Sequence, residues 1–136
     1  MPSKGKCAMN GRRYLLDTNA IIQLLAHNPQ LEAIVADADF IATSVICQME
    51  FLAFPNLSAN DKNLFLSFIS RVMVYDVMAN DTALTRETVS MRNSFGLKLP
   101  DAIIAATALV NNCEVVSADG HFRKQDRVGV TTYQPL

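Results

Sequence analysis

Leu99–Val110, with the sequence LPDAIIAATALV, is an almost wholly apolar segment that carries one carboxylate near its start. Pro100 suits the first position of a helix, where its missing N–H costs nothing, and Asp101 then lies beside the positive end of the helix dipole. Because every residue from 102 to 110 except Thr107 is apolar, no face of this helix suits water. We therefore expect a buried helix with Asp101 at its entrance. Taken alone, Asp101 is an ordinary first-turn acid.

The composition is that of one globular domain. The chain has 136 residues, of which 50% are hydrophobic and 18% charged, enough for a single continuous core. Its formal charge of -1 provides no overall basic field. A nucleic-acid partner would therefore have to be attracted by a local patch.

The cysteines and the first residues indicate the compartment. Cys7, Cys47 and Cys113 are odd in number and far apart, which argues against a disulfide framework and a structural zinc site and fits a reducing cytoplasm. We expect residues 1–12 to be a flexible basic lead, since they lack the apolar stretch of a signal peptide, and no apolar run reaches the ~18 residues of a membrane span. We expect a cytoplasmic protein with no membrane partner and one domain over residues 13–136.

Strand-like and helix-like segments alternate along the chain. The expected strands cover residues 13–17, 40–43, 72–77, 113–117 and 128–132. Helices are expected over about 20–26, 31–36 and 45–54, after a cap at Ser58, from Asn80 or Asp81 to about Phe95, and over 99–110. This order predicts an α/β fold, a three-layer α/β/α sandwich with a mainly parallel central sheet of four to five strands.

Acidic residues stand at comparable positions in these elements. Asp17 and Asp119 each follow a predicted strand and Asp101 opens a helix, so all three can reach the edge where such sheets bind ligands. Glu50 lies within an apolar helical stretch, where a charge needs a partner or a metal ion. Each acid has an ordinary alternative role, as a helix cap, an ion-pair partner or a turn residue.

A cluster of these acids would need compensating positive charge, and no buried lysine or arginine is obvious in the same segments. Oxygen-only ligands suit Mg²⁺ or Mn²⁺ rather than zinc. Such ions activate water and stabilise charge on a phosphate. The chemistry implied is phosphodiester hydrolysis.

Four ordered motifs resemble those of the PIN-domain ribonucleases, and most closely those of the VapC-like toxins of bacterial toxin–antitoxin pairs. They are LLDTN at 15–19, SVICQME at 44–50, LPDAIIAATA at 99–108 and SADGHF at 117–122. The resemblance extends from Tyr14 to the C-terminus. Cys47 stands where the family often has threonine, and His121 stands where an acid commonly precedes the phenylalanine. The second departure removes a carboxylate that the family commonly has, and so weakens the expectation of a fifth acid and of a second metal position.

The resemblance implies a metal-dependent endoribonuclease. Its catalytic residues and metal ligands would be Asp17, Glu50, Asp101 and Asp119, around Mg²⁺ or Mn²⁺. Supporting residues in the same motifs are Thr18, Asn19 and Ser117. The resemblance also implies a homodimer and a small antitoxin protein whose tail fills the site.

Several basic residues are candidates for contact with RNA, namely Arg12, Arg13, Arg86, Arg92 and Lys98. Arg92 and Lys98 flank the approach to Asp101 and are the preferred phosphate contacts. The stripe Leu64, Phe65, Phe68 and Ile69 is expected in the core or at a dimer face. The region 51–68 is also a candidate groove for an antitoxin helix.

Acids at strand ends also occur in other classes of α/β protein. A receiver-type phosphoacceptor needs an acid pair after the first strand and a lysine followed by proline after the last, and the sequence has neither. A haloacid-dehalogenase-like phosphatase needs a second acid two places after Asp17, where Asn19 stands. A catalytically silent PIN fold that serves only as a binding module predicts a missing acid, whereas all the acids are present. A nuclease is therefore expected, with the silent binding module as the first alternative and a receiver-type phosphoacceptor as the second.

Overall fold

The computed structural model describes residues 11–136, so Cys7 and most of the expected N-terminal lead lie outside the described residues. Within these residues, five parallel strands form one sheet in the order β3-β2-β1-β4-β5. The strands are β1 (Arg13–Leu16), β2 (Phe40–Ser44), β3 (Met73–Tyr75), β4 (Glu114–Val116) and β5 (Val130–Thr131). The first strand of the chain therefore lies at the centre of the sheet.

In the described part of the chain six α-helices cover this sheet, which confirms the expected three-layer α/β/α architecture. They are α1 (Thr18–Leu25), α2 (Pro29–Ala36), α3 (Val45–Leu52), α4 (Ala59–Ile69), α5 (Thr82–Phe95) and α6 (Leu99–Val110), followed by a 3-10 helix, Gly120–Lys124. The longest, α5, has 14 residues. Within residues 11–136 no helix combines the length and the apolar character needed to cross a membrane.

Helix starts follow the capping residues that the sequence contains. Asp17 accepts a hydrogen bond from the Ala20 N–H at 2.8 Å. Ser44, Ser58 and Asp81 cap α3, α4 and α5 in the same way. These four caps confirm the predicted helix starts, because each side chain satisfies an N–H that the first turn leaves unpaired.

The helix α6 has the predicted bounds and lies in the core. Its buried residues are Ala102, Ile104, Ala105, Ala106, Thr107 and Ala108. Pro100 is the second residue of the helix rather than the first, a position whose N–H also lacks a partner within the helix. Leu99 is half exposed because it lies at the entrance.

Several elements are shorter than expected. The strand β3 ends at Tyr75 because Asp76 and Val77 are exposed and outside the ladder with β2. The helix α3 ends at Leu52 with Ala53 as its cap, since Phe54 precedes Pro55 and a residue before proline disfavours the helical conformation. These differences leave the sheet order and the ends that carry the acids unchanged.

The opposite end of β1 is held by arginines. The Arg13 guanidinium lies 4.1 Å from the Phe40 ring centroid. Its Nη2 donates to the Asn111 carbonyl at 3.1 Å, just beyond the last residue of α6. Arg12 pairs with Asp37 through its Nε at 3.2 Å. Both arginines therefore lie at the amino ends of the parallel strands.

Candidate active site

A single cleft of about 470 Å³ brings the four predicted acids together. It lies at the carboxyl ends of the strands, where β1 and β4 end beside each other and α6 begins. The lining residues are Asp17, Thr18, Asn19, Glu50, Ala53, Phe54, Asp101, Ile104 and Asp119. Four separate segments of the chain thus contribute carboxylates to one surface.

Asp17 is the most enclosed of these acids, with 6% of its surface exposed. Burial raises its pKa from an ordinary 3.8 to about 6, against the lowering effect of hydrogen bonds from Ser117 and the Ala20 N–H. The charges of Asp119 and Asp101 raise this pKa further. Asp17 is therefore held in one orientation, in an environment that disfavours its negative charge.

Ser117 connects two of the acids. It is fully buried, and its Oγ donates to Oδ2 of Asp17 at 2.5 Å. The same oxygen accepts the Asp119 N–H at 3.0 Å. Since Ser117 follows β4 directly, its place in the sheet fixes both the Asp17 side chain and the turn that carries Asp119.

Asp101 lies in the first turn of α6, as the sequence predicts. Burial raises its pKa, and the neighbouring Asp119 carboxylate raises it further, while His121 acts in the opposite direction. Glu50 and Lys98 act on the same carboxyl, the first raising and the second lowering its pKa. The charge of Asp119 thus acts on both Asp17 and Asp101.

The sequence predicts apolar surroundings for Glu50, and this prediction is wrong. Its side chain is exposed rather than enclosed by apolar neighbours, because α3 buries only Cys47 and Phe51 and turns Glu50 outward. The Thr18 Oγ1 donates to Glu50 Oε1 at 2.5 Å. Thr18 therefore holds this carboxylate at the cleft, while Asn19 is exposed at its rim.

The basic residues that are candidates for contact with RNA do not all lie near this cleft. Arg12 and Arg13 lie at the opposite end of the sheet from this cleft. Arg92 is exposed in the last turn of α5. Lys98 is exposed immediately before α6 and acts on Asp101.

Two further basic residues near the acids, Arg123 and Lys124, are not predicted from the sequence as contacts with RNA. Both are exposed in the 3-10 helix that follows Asp119. The sequence does indicate basic residues at this place, since the run HFRK at 121–124 follows Asp119 after a single glycine.

An apolar groove adjoins the cleft. Its volume is about 460 Å³, and it is lined by Ile22, Leu25, Ala26, Phe51, Phe54, Pro55, Asn56, Leu57, Asp61 and Leu64. Phe54 belongs to both surfaces. Phe65 stacks on Phe51 beneath the groove, with ring centroids 4.1 Å apart, and is buried with Phe68 as the core prediction requires.

The donor atoms of the cleft suit a hard divalent cation, because they are carboxylate oxygens and no lysine or arginine lines this cleft in residues 11–136. An added positive charge would offset the repulsion that Asp101 and Asp119 exert on Asp17. In the part of the chain that the structure describes, no three acidic, histidine or cysteine residues stand as a ready ligand group.

Comparison with known proteins supports the same interpretation of the fold. Residues 14–128 match the family described as PIN domain. No curated protein sequence is significantly similar to the chain.

Three solved structures illustrate the likeness. VapBC2 from Rickettsia felis, bound to a DNA fragment of its promoter, has a chain with TM-score 0.75 and 18% identity, covering 90% of this chain and 99% of that one. VapBC-1 from nontypeable Haemophilus influenzae gives 0.71 and 20%, covering 88% and 97%. A toxin–antitoxin complex from Klebsiella pneumoniae gives 0.66 and 26%, covering 79% and 87%. The chain therefore belongs to the PIN-domain family, with a fold like that of chains in VapBC toxin–antitoxin complexes.

Proposed function

We propose that the protein is a metal-dependent endoribonuclease, with residues 13–136 as its nuclease domain and Asp17, Glu50, Asp101 and Asp119 as its catalytic residues. The observation that carries this proposal is their common cleft, to which β1, α3, α6 and the turn after β4 each bring one acid. Such an arrangement costs stability, since burial and mutual repulsion raise the pKa of Asp17. A cost of this kind is typical of functional sites.

Mg²⁺ or Mn²⁺ is the proposed cofactor, held by Asp17, Glu50, Asp101 and Asp119. When bound, such an ion activates a water molecule and offsets the charge that develops on the phosphate. Other residues of the site hold these carboxylates in position. Ser117 fixes Asp17 and Asp119, and Thr18 holds Glu50.

The RNA backbone is the proposed substrate, and its phosphates require positive charge near an acidic cleft. Lys98 precedes Asp101 by three residues and is exposed, and Arg92 is exposed on α5. Both remain the preferred phosphate contacts. Asn19, at the rim of the cleft, is proposed to support the acids.

A small antitoxin is the proposed protein partner, and the apolar groove beside the cleft is its proposed binding surface. The exposed apolar side chains there include Phe54 and Leu64, which are 41% and 43% exposed. An apolar helix face would cover them. Because Phe54 borders both surfaces, a bound segment could continue into the cleft and block it. We also propose that the protein is a homodimer and that it acts in the cytoplasm.

The proposal is tested by incubating purified, antitoxin-free protein with mixed RNA, with Mn²⁺ or with EDTA. We expect cleavage with Mn²⁺, no cleavage in EDTA, and a loss of at least about 100-fold in Asp17→Asn and Asp101→Asn. The matched control is Asp37→Asn, whose carboxylate is exposed and paired with Arg12 away from the cleft. Cleavage that survives both cleft substitutions or EDTA would contradict the mechanism. RNA binding without cleavage would favour the silent binding module.

The toxin role is tested in cells. Expression of the chain alone is expected to arrest bacterial growth, and Asp101→Asn is expected to relieve the arrest at equal protein level. Asp37→Asn should arrest growth as the unchanged protein does. Arrest that persists in Asp101→Asn would separate any toxicity from the proposed chemistry.

A further inference from the structure

The imidazole of His121 points into the group of carboxylates. Its Nδ1 lies 3.2 Å from Oδ1 of Asp119 and 3.7 Å from Oδ2 of Asp101. The backbone places residue 121 beside Asp119, because the His121 N–H donates to the same Asp119 oxygen at 2.9 Å where the 3-10 helix begins. The His121 side chain is 53% exposed, so the ring borders both the acids and the solvent.

These separations are close to those between ligands of one ion. Atoms that lie about 2.1 Å from an octahedral ion, at right angles to each other, are roughly 3.0 Å apart. The distance between His121 Nδ1 and Asp119 Oδ1 falls near that value. The distance to Asp101 is larger by roughly 0.7 Å, a gap that a rotation of the half-exposed imidazole can close.

We propose that His121 supplies a nitrogen ligand to the divalent ion that Asp101 and Asp119 hold, and that this ligand makes the site favour Mn²⁺ over Mg²⁺. The inference rests on the proposed function, which requires the ion. Imidazole adds more affinity for a first-row transition ion than for Mg²⁺, which prefers oxygen ligands and retains its waters. An acid at position 121 would leave an oxygen-only site.

The direct test is pulsed electron paramagnetic resonance of Mn²⁺ bound to the RNA-free protein, prepared without a histidine tag. The chain contains two histidines, His27 and His121, so a coupling from a coordinated imidazole nitrogen has few sources. His27 is exposed and lies beside Glu32, at 3.1 Å, which makes His27→Ala the matched control. We expect the coupling in the unchanged protein and in His27→Ala, and its loss in His121→Ala.

A second measurement tests the ion preference. Competition between Mn²⁺ and Mg²⁺ for the same protein gives the ratio of their dissociation constants. We expect His121→Asp to lower the preference for Mn²⁺ by about tenfold or more. Because residue 121 is exposed, circular dichroism should show that both variants at this position remain folded.

The outcomes separate this inference from the proposed function. Mn²⁺ binding without nitrogen coupling, or coupling that persists in His121→Ala, would overturn the role of His121 and leave the proposed nuclease intact. An unchanged ion ratio in His121→Asp would overturn the preference for Mn²⁺. Failure of the unchanged protein to bind Mn²⁺ at all would contradict the proposed function itself.

Discussion

At the scale of the residue, the ionised carboxylate of Asp17 lowers the stability of the folded protein. Its pKa is about 6 in the fold against an ordinary 3.8, because the side chain is buried. The folded chain therefore binds this proton more tightly than the unfolded chain. The resulting contribution to the free energy of unfolding is full below pH 3.8 and is lost as the pH rises through 6.

We therefore expect Asp17→Asn to raise the free energy of unfolding by up to about 3 kcal/mol in EDTA at pH 7.5. The gain should shrink markedly at pH 4.5, where the wild-type carboxyl is largely protonated. Asparagine also keeps the helix cap. Urea unfolding of both proteins at the two pH values measures this difference. The exposed control Asp37→Asn should change stability by less than about 0.5 kcal/mol, and an equal gain at both pH values would contradict the assigned cause.

The positions of the acids could be predicted from the sequence, but their surroundings could only partly be predicted. Asp17, Asp101 and Asp119 each stand at the end of an element, and the ends of parallel strands meet at one edge. Glu50 differs because its environment depends on which face of α3 packs inward. Cys47 and Phe51 form that inward face, and neighbouring apolar residues in the chain do not reveal it.

At the scale of the element, α6 depends on small side chains. Ala102, Ala105, Ala106 and Ala108 are all fully buried. We expect Ala105→Leu to lower the free energy of unfolding by about 1–3 kcal/mol, because the larger side chain would displace α6 from its neighbours. Cleavage should fall as well, since Asp101 moves with this helix.

Urea unfolding and the RNA assay measure the two effects on Ala105→Leu. The control is Val89→Ala on α5, whose side chain is half exposed and whose loss should change stability by less than about 0.5 kcal/mol. A fully stable Ala105→Leu protein would indicate that α6 has room for a larger residue.

Elements with local signals were predicted more closely than those without them. The helix α6 has the predicted ends because a proline lies in its first turn and the residues from 102 to 110, except Thr107, are apolar. The strand β5 has only two residues, fewer than the predicted span, since its length is set by pairing with β4. Pairing across the sheet leaves no mark in the strand's own sequence.

At the scale of the whole molecule, folding and ion binding should be coupled. An ion that binds only the folded protein raises its stability according to its concentration relative to the dissociation constant. We expect Mn²⁺ at about ten times that constant to raise the unfolding temperature by roughly 5 °C relative to EDTA. Asp17→Asn should show a much smaller rise.

Thermal unfolding with matched ionic strength measures this coupling, and Asp37→Asn should respond to Mn²⁺ as the unchanged protein does. An equal rise in Asp17→Asn would place the stabilising ion elsewhere.

The sequence predicted a parallel sheet covered by helices, yet it left the strand order open. That order places β1 centrally and β4 beside it, so that Ser117 can reach Asp17.

The hydrogen bond between Arg13 and the carbonyl of Asn111 holds the far end of α6, while Asp101 lies at its near end. An inserted or deleted residue within this helix would shift one end against the other by about 1.5 Å and rotate it by about 100°. Either Asp101 would leave the cleft or the contact with Arg13 would break. We therefore expect the length of α6 to be fixed, so that neither an inserted nor a deleted residue is tolerated in this helix.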